Sequence, residues 1–434
     1  MLINPILSPI KPLSDVNLTS DKESKKSDLD IDLLLNITPT LVDSRKLREA
    51  LAETATSNKE QEIADSLLGA IDDHTIQLEA ISNWTEGGLS AFKGALEMIA
   101  QNMLANPPKN GGYGSYYEDL FQLVMMDILA NAEEYGFAND PVFMQFLSWS
   151  LEYVGTGQHN SWVETLPDPA ECEPGEKPVA VNGGGNHGNH LVKIADCVWY
   201  GIQKAIKDNK IHENSLAARL MKIISQSDSN YNGDISTHLP SNIYNNLYTS
   251  KNNGNLVGAG EGFYNTNSGG WITGNNNNIS PLMRLIFLSN TLKNNPELSK
   301  NDLDKIMYGS LDEVNDVSMR INKTNVYDFI IKFDNKDSEV RGELDGDGQG
   351  WQDSSLSGVE STRPDGVLIS LDFKGELNND WLVDLSSNYP NRILGDEDIK
   401  EINRLGDSVK MIMQTLKYWF QIMRDERVAI ARNI

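Results

Sequence analysis

The sequence has few cysteines, and this excludes one class of fold. Only Cys172 and Cys197 occur in 434 residues, so the chain is not a small scaffold held together by a disulfide framework. Two alternatives fit their surroundings: the two cysteines pair, or Cys197 is a small core residue within the apolar segment LVKIADCVWYGI. The redox state of the protein's compartment is therefore left open.

Positive charge is also scarce. The chain has 37 basic residues against 62 acidic ones, a net charge of −25. Nucleic acid is not expected as a partner, because binding to phosphate requires clustered Lys and Arg. The negative charge favours solubility and opposes unassisted docking on anionic lipid. The sequence also lacks an apolar run of the roughly 18 residues that a transmembrane helix requires.

Motifs that would name a reaction are missing as well. The sequence has no G-x-S-x-G, H-E-x-x-H, C-x-x-C or paired-carboxylate signature. His187 and His190 are three positions apart in GGGNHGNHL, but zinc needs more ligands and a phosphate loop needs G-K-[ST]. We therefore expect a flexible loop there, and no motif in the sequence names a reaction.

The chain begins with a polar leader. Residues 1–40 are rich in Ser, Pro, Asn and Asp, and they lack the basic region and unbroken apolar region of a signal peptide. Such a segment is typical of a flexible terminus. It is equally typical of an export tag that is not cleaved.

Two blocks with helical periodicity follow the leader. Residues 41–110 predict a helical hairpin. In residues 111–155, apolar positions spaced alternately by three and four predict coiled-coil helices, with a break before Asp140, the expected N-cap, and Pro141. The predicted contact positions are Tyr117, Phe121, Val124, Ile128, Asn131 and Tyr135.

Residues 156–395 have a mixed character. Helical segments occur together with an Asn- and Gly-rich stretch at 228–280 and with three β-like runs, NVYDFIIKF, GVLISLDFKG and DWLVDL. This mixture predicts an α/β domain. The expected fold class is α+β but mostly helical, with the mixed domain inserted between the helices of an intramolecular coiled coil.

Two loops space their oxygen-bearing side chains as calcium-binding loops do. The first is DSNYNGDISTHL and the second is DGDGQGWQDSSL. Both lack the acidic residue at the twelfth position that completes such a loop, and a turn between strands explains the second equally well. Calcium is the one cofactor that the sequence suggests. Its candidate ligands are Asp228, Asn230 and Asn232 in the first loop and Asp345, Asp347 and Asp353 in the second.

The final segment, residues 396–434, predicts a long amphipathic helix of about 35 residues. Its large apolar side chains need a partner, expected within 115–154 or 44–105, because they would otherwise face water. Arginines beside apolar residues near its end suggest a docking surface, and the alternative is the closing helix of a bundle core. The apolar stripe comprises Ile402, Leu405, Val409, Ile412, Leu416, Trp419 and Met423.

This order of segments resembles the hydrophilic translocator, or needle-tip, proteins of bacterial type III secretion systems, which include the invasion-plasmid antigen D and V-antigen proteins. YGSYYEDLFQLVMMDILANAEEYG is similar to their first coil helix, and SVKMIMQTLKYWFQIMRDERVAIARNI is similar to their closing helix. The chain departs from them in its larger inserted domain and in the break near Gly136. The plan implies an export leader at 1–40, a helical hairpin at 41–110, first coiled-coil helices at 111–155, an inserted α/β domain at 156–395 and a C-terminal coiled-coil helix at 396–434.

The resemblance implies a secreted, non-enzymatic component of the needle tip or translocon that reaches the bacterial surface without a cleaved signal peptide. The implied partners are the needle subunit, the hydrophobic translocators, further copies of the chain, and a host membrane or surface ligand. Two alternatives remain: an extracellular or phage-derived adhesion or structural protein, and an enzyme with its site in 156–395. The residues implied for assembly are Trp419, Phe420, Met423, Arg424 and Arg427.

Overall fold

A computed structural model describes most of the chain from residue 58 onward. The described residues are 58–107, 116–156, 167–168, 179–180, 187–228, 231–241, 243, 277–334, 350–353, 371–374, 377 and 379–432. The leader predicted at 1–40 lies outside them.

The described part of the chain is mostly helical. The helices before the Asn- and Gly-rich stretch are α1 (Asn58–Glu86), α2 (Gly88–Ala105), α3 (Tyr116–Ala130), α4 (Ala132–Tyr135), α5 (Pro141–Thr156), α6 (His187–Lys207) and α7 (Leu216–Gln226). The helices after it are α8 (Pro281–Asn294), α9 (Lys300–Tyr308), α10 (Leu311–Ile321), α11 (Val326–Asp334), α12 (Asn379–Ser387) and α13 (Asp396–Arg432). Two short antiparallel pairs join β1 (Pro167–Asp168) to β2 (Val179–Ala180) and β3 (Gly350–Asp353) to β4 (Leu371–Lys374).

Helix α3 lies at the centre of the largest hydrophobic core. Every residue of this helix except Tyr117 is buried, and it packs against α2, α5, α7, α8 and α12. A helix that is apolar all round is a core helix, whereas a coiled-coil helix buries a single stripe. The heptad spacing in 111–155 therefore predicted a helix correctly but did not predict its surroundings.

The break between the helices of that block lies where the sequence placed it. Helix α4 ends at Gly136, whose φ of 81° is left-handed, a conformation that glycine adopts without steric cost. Helix α5 then begins at Pro141, and the Asp140 carboxylate accepts a hydrogen bond from the Phe143 amide at 3.0 Å. The predicted N-cap is confirmed.

Two of the three β-like runs are helices. NVYDFIIKF forms α11, and DWLVDL lies within α12. In α11 the Asn325 side chain accepts a hydrogen bond from the Asp328 amide at 2.9 Å, which is an N-cap. Only the end of GVLISLDFKG is described as a strand, in β4. The α+β class and the inserted α/β domain are not confirmed by the described residues.

The chain divides into two compact units, and the boundaries fall inside helices α1 and α13. Unit 1 consists of Met1–Thr75 and Gly406–Ile434, and unit 2 consists of Ile76–Leu405. The described part of unit 1 is 58–75 and 406–432. The last helix therefore shares a unit with an N-terminal segment, which lies within one of the two partner regions that the sequence suggested.

Glycine substitutions provide a direct test of helix packing. A Cβ added at Gly155 in α5 would lie 2.7 Å from Leu282 Cδ2 and 3.2 Å from Leu282 Cβ, whereas one added at Gly406 would meet no atom within 4 Å. We expect Gly155→Ala to lower the free energy of unfolding by about 1–3 kcal/mol through overpacking. Gly406→Ala, the matched control, should raise it by about 0.5–1 kcal/mol because alanine favours helix. Chemical denaturation measures both, and equal effects would contradict the close approach at Gly155.

Candidate functional site

Helix α13 has buried apolar side chains, one at its last position in unit 2 and the others in unit 1. Leu405, Val409 and Leu416 are fully buried, Met413 is 5% exposed, and Ile412 is half-buried. In unit 1, Leu68 and Ile71 of α1 are also fully buried. The stripe predicted for the last helix is therefore covered along the part whose side chains are described.

A second row of side chains on α13 was missed by the sequence reasoning. Met411 is 63% exposed and Tyr418 is 66% exposed. Because seven residues make almost two turns, both lie on the same side of the helix, away from the buried stripe. Ile422, one turn beyond Tyr418, is half-buried. The covered stripe was predicted because its apolar residues recur alternately every three and four positions. The exposed row gave a weaker signal, because polar residues separate its apolar members.

The residues predicted for assembly lie at the far end of the same helix. Trp419 is half-buried, and its indole Nε1 is shielded from water without a hydrogen-bond partner among the described residues. The side chains of Phe420, Met423, Arg424 and Arg427 lie outside the described part of the structure, although the α13 backbone continues to Arg432. Their predicted role therefore stays a prediction.

In the first predicted calcium loop, two of the candidate ligands accept hydrogen bonds from nearby main-chain amides. The Asp228 carboxylate accepts a hydrogen bond from the Ser241 amide at 2.9 Å, and Asn232 Oδ1 accepts one from the Asp234 amide at 3.1 Å. Asn230, Asp345 and Asp347 lie outside the described residues, as does the side chain of Asp353. Among the described residues, no group of three or more His, Cys, Asp or Glu is arranged to hold a metal.

The cysteine and histidine predictions have different outcomes. Cys197 on α6 is 6% exposed and disulfide-bonded. The only other cysteine in the chain, Cys172, lies outside the described residues. His187 and His190 belong to the first turn of α6, with side chains that are not described.

Unit 2 contains a cavity of about 410 Å³ that the sequence did not predict. Helices α2 and α3, the segment 277–281 and the end of α9 provide its walls. Asp119 of α3 lies in the wall with only 2% of its surface exposed. Its two oxygens accept hydrogen bonds from Gln122 Nε2 and Asn278 Nδ2, each at 3.1 Å. Burial raises the pKa of the Asp119 carboxyl to about 8, against the opposing effects of these hydrogen bonds and of Arg284.

Gln122 connects this carboxyl to two further helices. Its Nε2 also donates to the Val154 carbonyl at 3.2 Å, and its Oε1 accepts from the Leu282 amide at 3.2 Å. A buried amide with all of these groups paired fixes the relative positions of α3, α5 and α8. This polar network is therefore part of the fold and also forms one side of the cavity.

A second cavity, of about 320 Å³, lies beside the start of α7. There the Asp127 carboxylate accepts hydrogen bonds from Asn131 Nδ2 at 2.9 Å and from the Ala217 amide at 3.0 Å. Burial raises the pKa of Asp127 to about 6, and the hydrogen bond from the α7 amide opposes this. Asp127 thus caps a helix that is distant in sequence.

Comparisons with known proteins add no relative to this description. No protein-family model, curated protein or solved structure matches the chain. Among the described helices, none combines the length and apolar character needed to cross a membrane.

Proposed function

We propose that the protein is a secreted structural and interaction protein, a needle-tip or translocon component of a bacterial type III secretion system. The observation that carries this proposal is helix α13. It has 37 residues, begins in unit 2 and continues through unit 1. Its exposed apolar row, Met411 and Tyr418, lies on a helix whose opposite stripe is already covered.

The start of α13 is held firmly within unit 2. Arg392 and Asp398 form a bidentate ion pair in which both N–O distances are 2.8 Å. Both side chains are at most 3% exposed. Asp398 also accepts a hydrogen bond from the Gly395 amide at 2.9 Å, immediately before the helix. These contacts fix the first turn of the helix within unit 2.

The charge of the terminal segment supports docking to another protein. Residues 406–434 contain five basic and three acidic residues, a balance of +2 in a chain whose total charge is −25. A row of apolar side chains with basic neighbours suits a partner surface that is apolar and acidic. Under the proposal, this partner is the needle subunit, and Trp419, Phe420, Met423, Arg424 and Arg427 extend the contact.

The disulfide at Cys197 supports a location outside the cytoplasm. Disulfide bonds persist in oxidising compartments and are rare where glutathione and thioredoxin keep thiols reduced. The buried, disulfide-bonded Cys197 is therefore consistent with a protein that completes its folding after export.

The enzyme alternative has one observation in its favour. Each cavity is lined by a carboxyl with a raised pKa, Asp119 in one and Asp127 in the other. Acid–base catalysis by paired carboxyls needs two such groups that converge on one substrate. Asp119 instead accepts a hydrogen bond from Asn278, just before α8, and Asp127 accepts one from the first turn of α7. An interaction protein is therefore the better-supported function.

The proposal predicts two results that can be measured in the protein's own cell. The full chain should reach the medium in the parent and remain inside a mutant that lacks the type III export ATPase. Met411→Glu combined with Tyr418→Glu should place charge in the exposed row and reduce co-purification with needle filaments by about tenfold or more, equivalent to 1.4 kcal/mol. Ile399→Glu is the matched control, because Ile399 is 50% exposed on α13 but belongs to unit 2.

Circular dichroism should show unchanged helix content in all three proteins. Export that does not depend on the ATPase would overturn the assignment to this secretion system. Parental levels of filament binding by the double variant would show that the exposed row does not form the docking surface.

A further inference from the structure

An arginine holds the walls of the cavity beside Asp119 in place, but it is not a ligand-binding group. Arg284 of α8 is 6% exposed, and it donates to the carbonyls of Ile279, Ile306 and Gly309 at 3.0, 2.9 and 2.6 Å. Ile279 and Gly309 line the cavity, and Ile306 lies in α9 next to the lining residue Met307. Arg284 therefore shapes the walls and has its donors occupied by the main chain.

Two polar groups of the cavity are not used by the fold. The Asn102 amide on α2 and the Tyr308 hydroxyl at the end of α9 line the cavity, and neither makes a hydrogen bond to another described residue. Both side chains are half-buried. They differ in this respect from Asn278 and Asp119, which are paired with each other.

Apolar side chains complete the lining. Ile99 and Met103 from α2 and Met307 from α9 lie beside the two unused polar groups. The volume of about 410 Å³ is within the usual range for small-molecule sites. A surface with apolar patches and separate amide and hydroxyl groups is suited to a ligand that has both a C–H face and hydroxyl groups.

We propose that this cavity binds a neutral sugar of one or two rings. Asn102 and Tyr308 provide the hydrogen bonds, and Met103, a half-buried apolar residue of the lining, covers the apolar face of the ring. The ligand is uncharged because the Arg284 donors are taken by main-chain carbonyls and the Asp119 oxygens already accept two amides, which leaves the uncharged Asn102 and Tyr308 groups to bind it. The inference does not rest on the proposed docking role, since the cavity lies in unit 2 and the docking row lies in unit 1.

Saturation-transfer NMR on the full chain tests this inference with a panel of glucose, galactose, mannose, N-acetylglucosamine and their common disaccharides at millimolar concentration. We expect saturation transfer to at least one sugar. Asn102→Ala and Tyr308→Phe should each weaken its binding by about fivefold, as expected for the loss of one hydrogen bond. Neither change removes a hydrogen bond within the described fold, so both variants should remain folded.

Asn83→Ala is the matched control, because Asn83 is a half-buried asparagine that lines the second cavity. Its binding should equal that of the parent. Failure of every sugar in the panel to bind overturns the inference, and so does binding that neither Asn102→Ala nor Tyr308→Phe weakens.

Discussion

Replacing Arg392 by methionine is expected to lower the free energy of unfolding by about 3–5 kcal/mol, because it leaves the buried Asp398 carboxylate without its counter-charge. Arg392 Nε also donates to the Leu298 carbonyl at 2.7 Å, and its main-chain amide donates to the Trp84 carbonyl at 2.7 Å. The side chain therefore connects the start of α13 to the segment before α9. Chemical denaturation followed by tryptophan fluorescence measures the loss.

The double variant Arg392→Met, Asp398→Leu distinguishes the loss of the charges from the loss of side-chain volume, because it removes both charges and leaves apolar side chains in their place. Replacing both charges with apolar groups removes the unpaired carboxylate, so the double variant should be more stable than Arg392→Met alone. Arg404→Met is the control, since Arg404 pairs with Glu401 on the exposed side of α13 and should change stability little. Equal losses from Arg392→Met and Arg404→Met would show that burial of the first pair does not matter.

Stability is expected to fall as the pH rises from about 4 to 8, and Asp119 is the main cause. The pKa of its carboxyl is about 8 in the folded protein, against an ordinary value of 3.8. Between these values the folded state holds a proton that the unfolded chain releases. Each pH unit in this window therefore lowers the free energy of unfolding by up to about 1.4 kcal/mol. Asp127, with a pKa of about 6, contributes in the same direction over the lower part of the window.

Asp119→Asn should make this pH dependence shallower. An asparagine side chain has one acceptor oxygen, so it cannot accept the hydrogen bonds of both Gln122 and Asn278 as the two carboxyl oxygens do. We therefore expect the variant to be less stable than the parent at pH 5. The difference should shrink towards pH 8, because only in the parent does unfolding release the proton that the folded state holds. Asp208→Asn, at an exposed position, should leave the slope unchanged. Parallel stability curves for the parent and Asp119→Asn would contradict the raised pKa.

Local signals in the sequence predicted those features of the fold that local chemistry determines. Asp140 followed by Pro141 marks the start of α5, and a regular apolar stripe marks α13. The stripe was predicted because its residues recur every three or four positions on one helix. Such features depend on residues within a few turns of each other.

The strand predicted for NVYDFIIKF was wrong because the strand propensity of its residues concealed a helix N-cap signal. The run from Val326 to Phe333 is rich in β-branched and aromatic residues, which favour strands. Asn325 and Asp328 three positions later form an N-cap, and this signal correctly marks a helix. Tertiary packing then decides the outcome, because Val326, Tyr327, Ile330 and Ile331 are buried at helical spacing.

The cavity could not have been predicted from the spacing of residues along the sequence. Asp119 and Asn278 are 159 positions apart in the chain, and Gln122 and Leu282 are 160 apart. Their contacts depend on the packing of α3 against α8, which periodicity within one helix does not specify. The sequence showed several asparagines around 277 but could not show which of them would face a buried carboxyl.

The division of the chain also sets an order for folding during synthesis. All of unit 2, residues 76–405, is translated before the last segment of unit 1. Residues 58–75 must wait for a stretch that is made more than 300 positions later. Closing so long a loop is slow, which keeps the two ends of the polypeptide available to chaperones until translation is finished.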